Sequence, residues 1–188
     1  EGVAPEAGDT QASEATGEEE VRLQRNELTL IDVVRTLFEK GKTEAAKLFQ
    51  RRYFDVANTS ELLKGLGLTG DKFTIRYGVI ARHFGKDNQH DLPVEVWEKL
   101  PDALSHPLVV TKYYIEKGKQ KGYRIFTPIQ LNDGSFVVVS AEVKNAGKAI
   151  EVNSINTLFG KNKVSETHDE VIYESKEMTP EQRTLLDG

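Results

Sequence analysis

The chain has 188 residues, 38% of them apolar and 29% charged, which suits one soluble globule with an ordinary core. No apolar run approaches the roughly 20 residues that a membrane helix needs, so a membrane partner is not expected. The absence of cysteine excludes disulfides, thiol nucleophiles and Cys-ligated zinc, and it is compatible with a reducing cytoplasm, where we expect the protein.

The net charge of −5 is set by the first stretch of chain. Residues 1–20 carry Glu1, Glu6, Asp9, Glu14, Glu18, Glu19 and Glu20 and no basic residue; without those seven acids, 23 acidic residues face 25 basic ones. With Val3 as its only aliphatic side chain larger than alanine, this stretch reads as a disordered acidic linker. A chain that opens on Glu1 inside such a stretch reads as a fragment of a longer protein. Residues 21–70 read as a helical segment. Leu30, Val33, Val34, Leu37 and Phe38 have helical spacing up to Gly41, and Thr43 to about Tyr53 gives a second helix with an apolar side and a basic one. Ser60–Leu66 suits a short third helix. Phe73–Tyr77 alternates as a strand does, yet it also suits the lead into a helix over Val79–Phe84. Pro93 starts a helix through Val96, Trp97 and Leu100, which Pro101 is expected to end.

After Pro107 the period changes from 3.6 to 2. Leu108–Ile115, Tyr123–Leu131, Ser135–Val143 and Ala149–Phe159 read as four strands joined by short links, Asn132-Asp133-Gly134 and Asn145-Ala146-Gly147 among them. Glu170–Tyr173 adds a fifth, and Thr179-Pro180-Glu181-Gln182 opens a last helical turn. The expected fold is α+β: N-terminal helices, then a four- to five-stranded antiparallel sheet with a helix packed on it. Residues 71–175 form that domain, and residues 176–188 read as a truncated C-terminal extension.

Four histidines, His83, His90, His106 and His168, show no His-x-x-x-His spacing, and no phosphate-binding glycine loop or Gly-x-Ser-x-Gly elbow occurs. No metal or cofactor is therefore expected. His90, in a polar loop before a helix, is the leading candidate for proton transfer. His83 reads as a packed core residue, His106 as a turn residue and His168 as inert. Lys112, Lys117, Lys119, Lys121 and Arg124 interleave with Tyr113, Tyr114 and Tyr123, a combination suited to RNA or another single-stranded nucleic acid. The same lysines also serve as edge-strand gatekeepers, and the tyrosines as the half-buried face of a sheet.

The run from Gly85 to Pro107, with His90, Leu100, Pro101 and Pro107, together with Asn153-Ser154-Ile155-Asn156-Thr157-Leu158-Phe159-Gly160-Lys161, resembles the MuF C-terminal domain of phage head proteins. Similar blocks occur in long polyvalent proteins of mobile elements. Thr157 stands at the family's serine and Phe159 at its tyrosine, and Gln89 precedes His90 where many members have lysine. That family has been grouped with RNase-like toxins that cleave RNA without metal. The resemblance implies that His90 moves protons while Thr157, Lys161 and Arg124 hold the phosphate, with Arg76 as a reserve cation. Lys112, Lys119, Lys121 and Tyr123 would bind the rest of the substrate. It also implies two alternatives, a nuclease or a noncatalytic interaction module, each attached to neighbouring domains of a longer parent.

Overall fold

The computed structural model describes residues 29–84, 92–147 and 150–187. Helix α1 spans Leu30–Phe49, and its first turn is tied by Asp32, whose carboxylate accepts the Thr29 N–H at 2.8 Å. Gly41, at φ 84°, breaks it into the two helical stretches that the sequence predicts. Val33, Val34 and Leu37 are buried, whereas Phe38, grouped with them by spacing, is 73% exposed.

Strand β1, Tyr53–Asn58, lies within the segment 21–70 and starts where the second helix was expected to end. Phe54 and Val56 alternate with exposed Tyr53 and Asp55, and pairing with a neighbouring strand overrides the helical reading of Tyr53. Helix α2, Glu61–Leu66, is capped by Ser60, whose hydroxyl accepts the Leu63 N–H, and ends at Gly67 with φ 118°. Strand β2, Lys72–Arg76, then runs directly into α3, Tyr77–Ala81, so both readings of this stretch hold in succession.

Helix α4, Val94–Leu104, does not stop at Pro101. The ring removes one helical N–H, and burial of Ala103 and Leu104 by the next turn offsets that loss. The meander follows as β3 (Val109–Glu116), β4 (Lys119–Gln130), β5 (Phe136–Asn145) and β6 (Glu151–Lys161). A 3₁₀ turn over Val164–Thr167, β7 (Glu170–Glu174) and α5 (Pro180–Asp187) complete the order.

Among the described residues the sheet has seven strands in the order β1-β2-β6-β5-β4-β3-β7. This corrects the expected four or five antiparallel strands: β1 and β2 extend the meander, and β2 lies parallel to β6, Ile75 opposite Ile155. The short links of the meander dictate antiparallel pairs, but β6 meets β2 only through a long connection, which permits a parallel one.

One face of the sheet carries the main core. Val110, Ile125, Val139, Ala141 and Leu158 pack beneath the helices with Trp97, Leu100 and Leu104 of α4. Part of the opposite face is covered by the C-terminal segment, where Leu186, Met178 and Val164 join Phe126, Phe136 and Val138 in a smaller core. The rest of that opposite face is polar, and the candidate site lies on it.

Candidate functional site

Antiparallel register sets the floor of the site. Thr111, Arg124, Ser140 and Thr157 are direct neighbours on β3, β4, β5 and β6, so their side chains share one face. A bulge between Ser140 and Ala141 sets Ile155 and Thr157 against consecutive β5 residues, leaving Asn156 as the extra residue. The Asn156 Nδ2 donates to Tyr113 Oη at 3.0 Å and to Glu142 Oε1 at 3.2 Å. Beside β6, where β2 has already ended, the turn after α3 approaches, and Arg82 Nη2 donates to the Asn156 carbonyl at 3.3 Å.

Together these elements enclose a concavity of about 630 Å³, lined among others by Arg82, His83, Arg124, Thr157, Lys161 and Glu166. His83 is 5% exposed and sets its ring edge-on to Trp97, with centroids 5.6 Å apart, which bears out the reading of it as a packed residue. It also reaches the cleft, which that reading missed. Lys161 Nζ stands 3.5 Å from Glu166 Oε2 on the 3₁₀ turn.

Arg124 is held far more firmly. Its Nη1 donates to both carboxylate oxygens of Asp169 at 2.9 Å, and Asp169 also accepts the Thr111 hydroxyl at 3.0 Å. The guanidinium carbon lies 4.5 Å from the centroid of the Tyr113 ring and 5.7 Å from that of Phe159. Its Nε is buried with no hydrogen-bond partner among the described residues.

Arg124, Thr157 and Lys161 line this cleft together with Arg82, His83 and Glu166. His90 lies outside the described residues. Arg76 does not line the cleft; its guanidinium covers the Tyr53 ring at 5.4 Å on the β1–β2 side. Lys112 pairs with Tyr123, and the Tyr123 hydroxyl presses on Gly67, where a Cβ would collide with it, among the groups under the helices. Lys119 is exposed beside the hairpin tip, whereas Lys121 Nζ lies 3.9 Å from Glu142 Oε1. Of the tyrosines, Tyr113 is buried beneath Arg124, and Tyr114 donates to Glu170 at 2.6 Å. That bond, more than burial, holds the Tyr114 phenol above its ordinary pKa.

Among the described residues no three histidine, aspartate or glutamate side chains stand together as a metal site, and no helix is long and apolar enough to cross a membrane. Fold and cleft together define an α+β domain with a mixed sheet, the main helical layer on one face, and a cation-rich, hydroxyl-bearing hollow beside the C-terminal segment on the other. The phage MuF C-terminal domain family matches residues 81–181, just over half of the chain, and the chain belongs to that family. No curated protein and no solved structure matches it.

Proposed function

We propose that this phage-related domain is a metal-independent ribonuclease-like effector, acting in the cytoplasm as part of a longer phage or mobile-element protein with neighbouring domains. The observation that carries the reading is the convergence of Arg82, His83, Arg124, Thr157 and Lys161 on one concavity. Those groups suit attack of a ribose 2′-oxygen on the adjacent phosphorus, with departure of the 5′-oxygen and a 2′,3′-cyclic phosphate left behind. One proton leaves the 2′-hydroxyl and one joins the 5′-oxygen. His83 and Glu166 are the cleft groups suited to carry them, and Arg82, Lys161 and the Thr157 hydroxyl oppose the charge that builds on the phosphate.

A noncatalytic nucleic-acid-binding module is the second reading, favoured by Arg124 already being committed to Asp169. Fluorescent single-stranded RNA incubated with wild type and His83→Gln in EDTA separates the two. Cleavage by wild type that falls about 10²- to 10⁴-fold in a variant with unchanged melting supports the nuclease. Wild type that binds RNA without cutting it overturns that reading.

A further inference from the structure

Beyond the cleft, the same sheet face continues as a floor of small hydroxyls. Register places Ser154 between Thr74 on β2 and Glu142 on β5, a row adjoining Ser140, Arg124 and Thr111. Thr74, Ser154, Ser140 and Thr111 are all at least nine-tenths buried, and the Thr74 hydroxyl has no partner among the described residues. Gly122 belongs to this floor: a Cβ there would meet the Ala141 carbonyl and come within 3.1 Å of Glu142 Cγ.

Long cations stand on that floor outside the cleft. Lys144 Nζ is 3.6 Å from Glu142 Oε2 and Lys121 Nζ is 3.9 Å from Glu142 Oε1. Glu142 also binds Asn156, whose carbonyl accepts from Arg82, so one polar network joins the two lysines to the cleft rim. Five cations, Arg82, Lys121, Arg124, Lys144 and Lys161, thus lie on this side of the sheet, with Glu142, Glu166 and Asp169 as the ion-pair partners of four of them. On β5 Lys144 lies four residues from Ser140, about 13 Å along the strand, farther than a single phosphate group reaches.

We infer that the substrate class is a single-stranded RNA longer than a dinucleotide. One phosphodiester sits in the cleft, and the chain continues past Asn156 and Glu142 to Lys144 and Lys121. The inference rests on the phosphate-binding reading of the cleft but not on catalysis. Glu142 then serves to hold the two ammonium groups in place until a backbone phosphate approaches them.

The test is binding anisotropy with 2′-O-methyl oligouridylates, which lack the attacking hydroxyl, from the dinucleotide to the octanucleotide. Affinity should rise with length. Lys144→Ala should weaken octanucleotide binding about 3- to 10-fold and reduce the salt slope by about 0.7, leaving the dinucleotide unchanged. Lys144→Arg should restore binding, because it keeps the charge. Length-independent affinity, or equal loss for every length in Lys144→Ala, overturns the inference. Cleavage of unmodified RNA is read separately: length-dependent binding without cleavage would sink the nuclease and leave the track standing, and cleavage without length dependence would do the reverse.

Discussion

Removing the Asp169 carboxylate tests whether the Arg124 arrangement is built as described. The Asp169 side chain is 5% exposed and that of Arg124 25%, so the pair is largely withdrawn from water. Asp169→Ala deletes two charge-assisted bonds at 2.9 Å and the bond from Thr111, and it leaves a guanidinium whose Nε already lacks a partner among the described residues. Breaking a fully buried pair from one side costs about 3–5 kcal/mol. Partial exposure of Arg124 and its contacts with Tyr113 and Phe159 keep the expected loss at the lower end, about 3 kcal/mol. For a chain of this size that corresponds to a melting point lower by roughly 6–12 °C. Urea denaturation of wild type, Asp169→Ala, Arg124→Met and the double variant closes a double-mutant cycle. Because Arg124→Met keeps the apolar stem between the rings, the double variant should be no less stable than Asp169→Ala alone, giving a coupling of at least about 1 kcal/mol. An Asp169→Ala loss below about 0.5 kcal/mol, or strict additivity, would refute the view of Arg124 as a buried charge dependent on Asp169.

Two further outcomes follow from buried or bonded polar groups. Asn153 is fully buried and donates to Thr59 Oγ1 and to the carbonyls of Leu68 and Gly70, while accepting the Gly70 N–H; Asn153→Ala should therefore cost about 3 kcal/mol in urea, and a loss under about 1 kcal/mol would contradict that role. The Asp133 carboxylate accepts the Ser135 hydroxyl and N–H, which hold its pKa below the ordinary carboxylate value. A depressed folded value means that its contribution to stability is complete above the unfolded pKa and disappears as pH falls through the folded one. In an NMR titration Ser135→Ala should move the Asp133 midpoint upward, and an unmoved midpoint would show that the hydroxyl is not the cause.

How much could be read from the chain depended on sequence distance. The meander was legible because Asn132-Asp133-Gly134 and Asn145-Ala146-Gly147 mark turns, and Gly134 and Gly147 do adopt positive φ there. The stretch Tyr53–Asn58 was not, since its strand character exists only against β2. Thr157 and Lys161 were legible through the family resemblance and Arg124 as a cation of the basic hairpin; in the fold they stand on β6 and β4, on either side of β5. Asp169 was not, because it meets Arg124 across 45 residues and a 3₁₀ turn that no periodicity announces. Arg82 and His83 escaped for a different reason: nothing in Ala81-Arg82-His83-Phe84 reveals that β2 ends early enough to let this turn lie against β6.

The residues that carry the family resemblance divide between architecture and chemistry, which changes what they can tell about activity. Asn153 pins the loop at Leu68 and Gly70, Ile155 lies in the main core, and Gly160 presses so closely on Ser135 and Leu131 that a side chain would have to displace them. In this chain all three serve the framework, nuclease or not. Lys161 and Thr157 alone from that stretch offer cleft groups whose removal leaves the core untouched. Phe159, where the family pattern has tyrosine, keeps a ring against the Arg124 guanidinium but brings no hydroxyl. On the proposed reading, loss of that donor leaves phosphate binding to Arg82, Thr157 and Lys161. Family membership therefore accounts for the framework, whereas the case for catalysis rests on His83, Arg82 and Glu166, which only the folded chain brings to the cleft.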